Sequence, residues 1–297
     1  MTSTTFDRTL ERVGAGERLQ LEEIRALAAS PDILQLGMLA DALARRLHGG
    51  RTTYLRVAFH ALDAPPAPVP PGSREVRITG APESLDSAVA AVASVRAHAE
   101  DRVLSAFSWD DVARLARDGA REVRDVLVAL RAAGLDAIAS LAMDEIPDGP
   151  AAIGELLGAG FERLTLTVSG VKASDAFDLW SRASDLQQRF GCVRAIDPLP
   201  ARSSPARPTT GYQDVKAVAL ARLLAADVPT IQVDWMRYGP KLAQVALTFG
   251  ADDVWGVSAS DEAPEGRRRA PVEEIRRNIE AAGFAAIERD GRFTPVD

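Results

Sequence analysis

Cysteine is almost absent from this chain, with one residue, Cys192, in 297. That count excludes an internal disulfide, a four-thiolate zinc site and a three-thiolate iron-sulfur site built from these residues alone. Lysine is nearly as scarce, and neither Lys172, Lys216 nor Lys241 has the glycine spacing of a Walker-type phosphate loop. His48, His60 and His98 lack a second ligand at i+2 or i+4, so no metal site is expected. No stretch approaches the roughly 18 apolar residues of a membrane span, and residues 1–14 lack the basic and apolar regions of a signal peptide. A cytoplasmic protein without a membrane partner is the expectation. Positive charge is not in excess either: 35 Lys and Arg against 42 Asp and Glu give a net charge of −7, which argues against nucleic acid as a partner.

What the chain has is rhythm. Residues 1–50 read as an N-terminal extension of two helices, the second with Ser30 as N-cap, Pro31 in the first turn, an apolar stripe at Leu36, Leu39, Leu43 and Leu47, and glycines at 49 and 50 as its stop. Residues 51–297 read as a single unit. Short apolar, β-branched segments at 52–59, 75–79, 102–106, 136–140, 163–168, 192–196, 230–235 and 253–257 alternate with helix-period segments, several ending at a glycine such as Gly134, Gly191 or Gly250. Such alternation predicts a parallel sheet covered by helices, and eight strands are the number that closes a (β/α) TIM-type barrel; a doubly wound open sheet is the alternative. One connection is anomalous. Between the first two strands, where a crossover helix belongs, stands ALDAPPAPVPPGS, whose prolines forbid a helix. The barrel is therefore expected to be incomplete at its first βα unit. A last amphipathic helix and a short hairpin-like or extended end follow Arg269.

Function in such a barrel sits at the C-terminal strand ends. Those ends supply Thr79 and Gly80, Ser105 and Ser108, Asp144 and Glu145, Ser169, Asp197, and Asp234 with Trp235. Asp144 and Glu145 read equally as loop caps and as site residues, and Asp197, followed by Pro198, reads as a cap. Asp234 interrupts an apolar strand, which costs stability unless the carboxylate is used, and it is the candidate catalytic acid or base. Cys192 opens an apolar strand and reads as an inert core thiol. The arginine run 266–270 reads as a solvated loop, and the GAG fragments at 14–16 and 158–160 as turns.

The segment TTGYQDVKAVALARLLAADVPTIQVDWMRYGPKLAQVALTFGADDVWGVSASDEAPEGRRRAPVEEIRRNIEAAGFAAIERDGRF resembles the C-terminal third of the radical S-adenosylmethionine (radical SAM) enzymes of the futalosine route to menaquinone. These are aminofutalosine synthase and dehypoxanthine futalosine cyclase, relatives of an FO synthase subunit. LGMLADALARRLHGGRTTYLRVAFH and REVRITGAPESLDSAVAAVASVRA resemble earlier parts of that family, with Gly80 near the glycines that approach S-adenosylmethionine. The resemblance implies a substrate wall containing Thr210, Gly211, Gln232, Asp234 and Trp235. It also implies CxxxCxxC after the first strand, holding a [4Fe-4S] cluster, and there this chain has no cysteine. The expectation is thus a cluster-less paralogue, with no metal, no cluster and no firm S-adenosylmethionine site. It would bind a pathway intermediate, support an active radical SAM partner or self-associate. A repurposed acid-base barrel enzyme and a purely structural interaction protein are the competing expectations.

Overall fold

The computed structural model describes residues 3–65, 67–170, 176–200, 210–259 and 272–296. Three helices precede the first strand, α1 (Ser3–Gly14), α2 (Leu21–Ala29) and α3 (Ile33–His48), where the sequence predicts two. The difference is one of capping. The Glu23 carboxylate accepts the Gln20 N–H at 2.7 Å and opens α2. Helix α3 starts two residues later than expected, because Asp32 rather than Ser30 is the N-cap, accepting from Leu34 N–H at 3.0 Å and Gln35 N–H at 3.4 Å.

The strands β1 (Arg51–Ala61), β2 (Glu75–Thr79), β3 (Val103–Ser108), β4 (Ala137–Ala142), β5 (Leu164–Thr167), β6 (Val193–Ile196), β7 (Thr230–Asp234) and β8 (Asp253–Ser258) pair in parallel in chain order. β1 pairs with both β2 and β8, so the sheet closes into a TIM-type (β/α) barrel and the open sheet is excluded. Around it lie α4 (Leu85–Ala99), α5 (Trp109–Asp118), α6 (Val123–Ala132), α7 (Gly149–Gly158), α8 (Ala176–Phe190), α9 (Gly211–Leu224), α10 (Trp235–Leu247) and α11 (Val272–Ala281). Their starts are set by side-chain caps at Ser84, Ser108, Asp148, Thr210 and Asp234. One hydrophobic cluster between strands and helices runs from Phe6 to Phe284 and includes Ile24 and Leu39 of the N-terminal helices.

Among the described residues no helix joins β1 to β2. Leu62 N–H donates to Thr79 O at 2.8 Å at the upper end of this connection, and Arg74 N–H donates to Arg56 O at 2.9 Å at the lower end. A proline-stiffened chain advances about 3.1 Å per residue, enough to descend a five-residue strand in the space a helix would occupy.

The floor of the barrel is closed by the end of the chain. A ninth strand, β9 (Ala285–Glu288), pairs in parallel with the lower half of β1, on the edge that β2 uses higher up. Arg289 then forks onto Asp253 through two 2.7 Å hydrogen bonds, and Phe293 lies beneath the Arg289 guanidinium at 4.0 Å. Beside it a second buried pair, Arg222 with Asp252, ties α9 to the start of β8, and His48 at the end of α3 reaches Asp252 at 3.3 Å. Among the described residues no helix is long and apolar enough to cross a membrane.

Candidate functional site

In a parallel barrel every second side chain enters the lumen, and lumens of this type are usually packed with branched apolar residues. Here the middle layer is polar. Ser105 Oγ donates to Glu75 at 2.5 Å and accepts from Arg77 Nε at 2.9 Å, while Arg77 also reaches Glu75 at 3.0 Å. The Arg77 guanidinium lies 4.2 Å from the Trp255 ring, which meets Phe59 edge-on at 5.9 Å and 87°. Gln232 and Thr165 line the same space, whose free volume is only about 30 Å³. Val103, Arg163, Arg289 and Phe293 from the lower end of the barrel line it as well, and that volume holds a water and no more, so the lumen is filled below the strand ends.

Above it stand two carboxyls. Asp234 ends β7 and caps α10, accepting the Arg237 N–H at 3.0 Å, with the Arg237 guanidinium at 3.3 Å. Gly256 makes room for this carboxyl: it takes φ +79°, and a Cβ there would stand 3.2 Å from Asp234 Oδ1. Asp197, at the end of β6, is 5% exposed, accepts Leu199 N–H at 3.2 Å, and has Arg237 no closer than 3.9 Å. Burial pushes its pKa up to about 7, with Arg237 opposing and Asp234 adding to the rise. Tyr238 donates its hydroxyl to Pro200 O at 2.6 Å, and burial pushes its phenol well above the usual range. A polar floor under a carboxyl pair bridged by one arginine suits recognition of a small molecule carrying both donors and acceptors.

The structure brings some of the expected residues together and separates others. Ser105 and Gln232 face the lumen, and Asp234 sits above them. Trp235, one residue on, turns away and is buried in the outer core. Thr79 and Gly80 anchor the helix-less crossover, where a Cβ on Gly80 would meet Leu62 at 3.2 Å. Asp144 spends both carboxylate oxygens on the backbone N–H groups of Ser169 and Gly170, at 2.8 and 2.9 Å, and Glu145 beside it is exposed. Thr210 and Gly211 open α9, away from the lumen, and Thr210 lines a different feature, an outer groove of about 870 Å³ between α2, α8 and α9 that is also lined by Phe177 and Lys216. The arginine run 266–270 lies outside the described residues. Sequence reasoning missed Glu75, Arg77 and Trp255, and took Asp197 for a cap. The missed signal was two charges on one face of a five-residue strand in a barrel, where that face is the lumen.

An iron-sulfur cluster at the mouth needs three thiolates beside the strand ends. The β1–β2 connection carries no cysteine. Cys192 is buried just before β6, at the opposite end of the barrel from the strand C-termini, and burial raises its thiol pKa. Among the described residues no three metal-ligating side chains are grouped. The residues present do not fit a cluster at the mouth.

Comparison with known proteins adds a name for the neighbourhood. No family model matches the chain. It is 29% identical over 224 residues to the 5-amino-6-(D-ribitylamino)uracil--L-tyrosine 4-hydroxyphenyl transferase of Archaeoglobus fulgidus, covering 65% of each chain. The transferase of the same name from Methanospirillum hungatei JF-1 is 27% identical over 71% of this chain and 66% of its own. The chain thus spans just under two thirds of the length of these two relatives. Among solved structures, the FeFe-hydrogenase maturase HydG of Carboxydothermus hydrogenoformans superposes with a TM-score of 0.66 at 13% identity, covering 96% of this chain and 79% of that one. Methylornithine synthase (PylB) gives 0.63 at 13% identity, covering 94% and 97%, and these two likenesses establish the shared fold. The transferase relatives carry the name of a ribitylaminouracil transferase rather than of a futalosine-pathway enzyme.

Proposed function

We propose that this chain is a cluster-less radical SAM paralogue that binds a small heterocyclic or aromatic metabolite at its barrel mouth without initiating radical chemistry itself. The class of ligand follows the relatives' name, a ribitylaminouracil or L-tyrosine, in place of the futalosine intermediates implied by the sequence resemblance. The observation that carries this reading is the polar floor of Arg77 on Trp255 beneath Asp197, Asp234 and Arg237, a costly arrangement in a barrel with no ligand to recognise. The cation and the aromatic ring offer a stacking and hydrogen-bonding surface, the carboxyls accept ribityl hydroxyls or ring N–H groups, and the missing thiolates remove the means of cleaving S-adenosylmethionine. A bound intermediate would be held for an active partner enzyme.

The test is calorimetric titration with 5-amino-6-(D-ribitylamino)uracil, L-tyrosine, aminofutalosine and S-adenosylmethionine in turn. Saturable binding of the first or second, weakened at least tenfold by Arg77→Met, is the expected result. Binding of aminofutalosine alone would restore the futalosine assignment, and silence on all four would overturn a ligand site at the mouth.

A further inference from the structure

Asp197 is more deeply buried than its partners explain. Its carboxyl receives one backbone N–H, its other approach from a cation is 3.9 Å, beyond hydrogen-bond reach, and it sits at a strand end whose alternation turns it toward the lumen. Asp234 contrasts with it, because both its oxygens face Arg237, one toward the backbone N–H and one toward the guanidinium. The charged and titratable groups facing Asp197 are Asp234, Arg237 and Tyr238, with Asp214 of α9 next beyond Tyr238. Two carboxyls share one arginine, and the one with fewer donors is the one that keeps a proton.

Resting on the function proposed above, we propose that Asp197 is the hydrogen-bond donor of the mouth site, reading the carbonyl of a cyclic amide or ureide ring while Asp234 accepts that ring's neighbouring N–H. A neutral carboxyl next to a hydrogen-bond acceptor complements the alternating C=O and N–H edge of a pyrimidinedione. The burial that raises the Asp197 pKa to about 7 keeps that proton available near neutrality. Recognition of this edge is then pH-dependent in a way recognition of a ribityl chain or a phenol is not. No covalent step is involved.

The experiment measures the affinity for 5-amino-6-(D-ribitylamino)uracil from pH 5.5 to 8.5 in the wild type, Asp197→Asn and Asp197→Ala, each first shown by thermal unfolding to be folded at every pH used. The wild type is expected to lose affinity about tenfold for each pH unit above about 7. Asp197→Asn, whose amide donates at every pH, is expected to bind with no such fall, and Asp197→Ala to bind at least tenfold more weakly than the wild type at pH 6. Infrared difference spectra of the unliganded protein give an independent readout: a protonated-carboxyl band at pH 6 that is missing in Asp197→Asn. Wild-type affinity that is flat with pH, or Asp197→Asn that retains the fall, overturns this assignment and leaves the mouth site standing. Absence of binding by the wild type at every pH overturns this assignment, and silence toward L-tyrosine, aminofutalosine and S-adenosylmethionine as well overturns the mouth site.

Discussion

Arg289 grips Asp253 through two parallel hydrogen bonds of 2.7 Å, and both side chains are almost wholly withdrawn from water. Thr53 of β1 donates to the same carboxylate at 2.5 Å, so one anion joins three parts of the barrel floor. Removing the cation strands that charge in the interior. Arg289→Ala is expected to lose about 3–5 kcal/mol, read as a lowered urea midpoint, whereas a variant unchanged in midpoint would show that the pair contributes little.

Asp197 sets a pH dependence of stability. In the unfolded chain it titrates near 3.8 and in the folded chain near 7, so between those values the folded state holds the additional proton. Stability therefore falls as pH rises from about 4 to about 7 and levels off above, a loss of up to roughly 4 kcal/mol. Asp197→Asn should lack this fall and be more stable than the wild type at pH 8. Parallel unfolding curves for the two proteins across that range would sink the assignment.

Gly256 and Gly154 are a matched pair of alanine tests. At Gly256 the backbone is left-handed and a Cβ would press on Asp234, so Gly256→Ala should lose about 1–3 kcal/mol and weaken ligand binding at the mouth. At Gly154, inside α7 with nothing within 4 Å of a new Cβ, alanine should add about 0.5–1 kcal/mol and leave binding alone. Thermal melts and one titration check both.

Cys192 should behave as a core thiol. Its reaction with an aromatic disulfide reagent is expected to be slow in the folded protein and immediate in denaturant, because burial both hides it and raises its pKa. Anaerobic incubation with iron and sulfide should give no cluster absorbance, and Cys192→Ala should not change that result. A stoichiometric cluster spectrum would overturn the cluster-less reading.

The eight barrel strands were legible because each is a short, largely apolar run, several of them entered from a glycine stop such as Gly134, Gly191 or Gly250, and such signals are local. The missing first crossover helix was legible for the same reason, since prolines act on their own backbone. The floor of the barrel was legible only as a short extended end after the last helix: that it is β9, Ala285–Glu288, and pairs with the first strand is not a local signal. Glu75 and Arg77 were passed over because alternating charges in EVRIT look like a solvent face, and only closure of the sheet turns that face inward. Asp197 reads as a cap in sequence and does accept the Leu199 N–H, yet its depth and its neighbours come from β7 and α10. The pairing of Asp144 with Ser169 and Gly170 likewise depends on two loops meeting.

The arrangement at the lower half of β1 has a consequence for synthesis. That edge of the first strand pairs with β9, far along the chain, so until β9 is made its N–H and C=O groups stay open to any other extended segment. A nascent barrel in this state is a template for pairing between copies, and β9 acts as the clasp that ends the exposure. Chains cut before Ala285 should consequently aggregate during expression rather than accumulate as a slightly destabilised barrel.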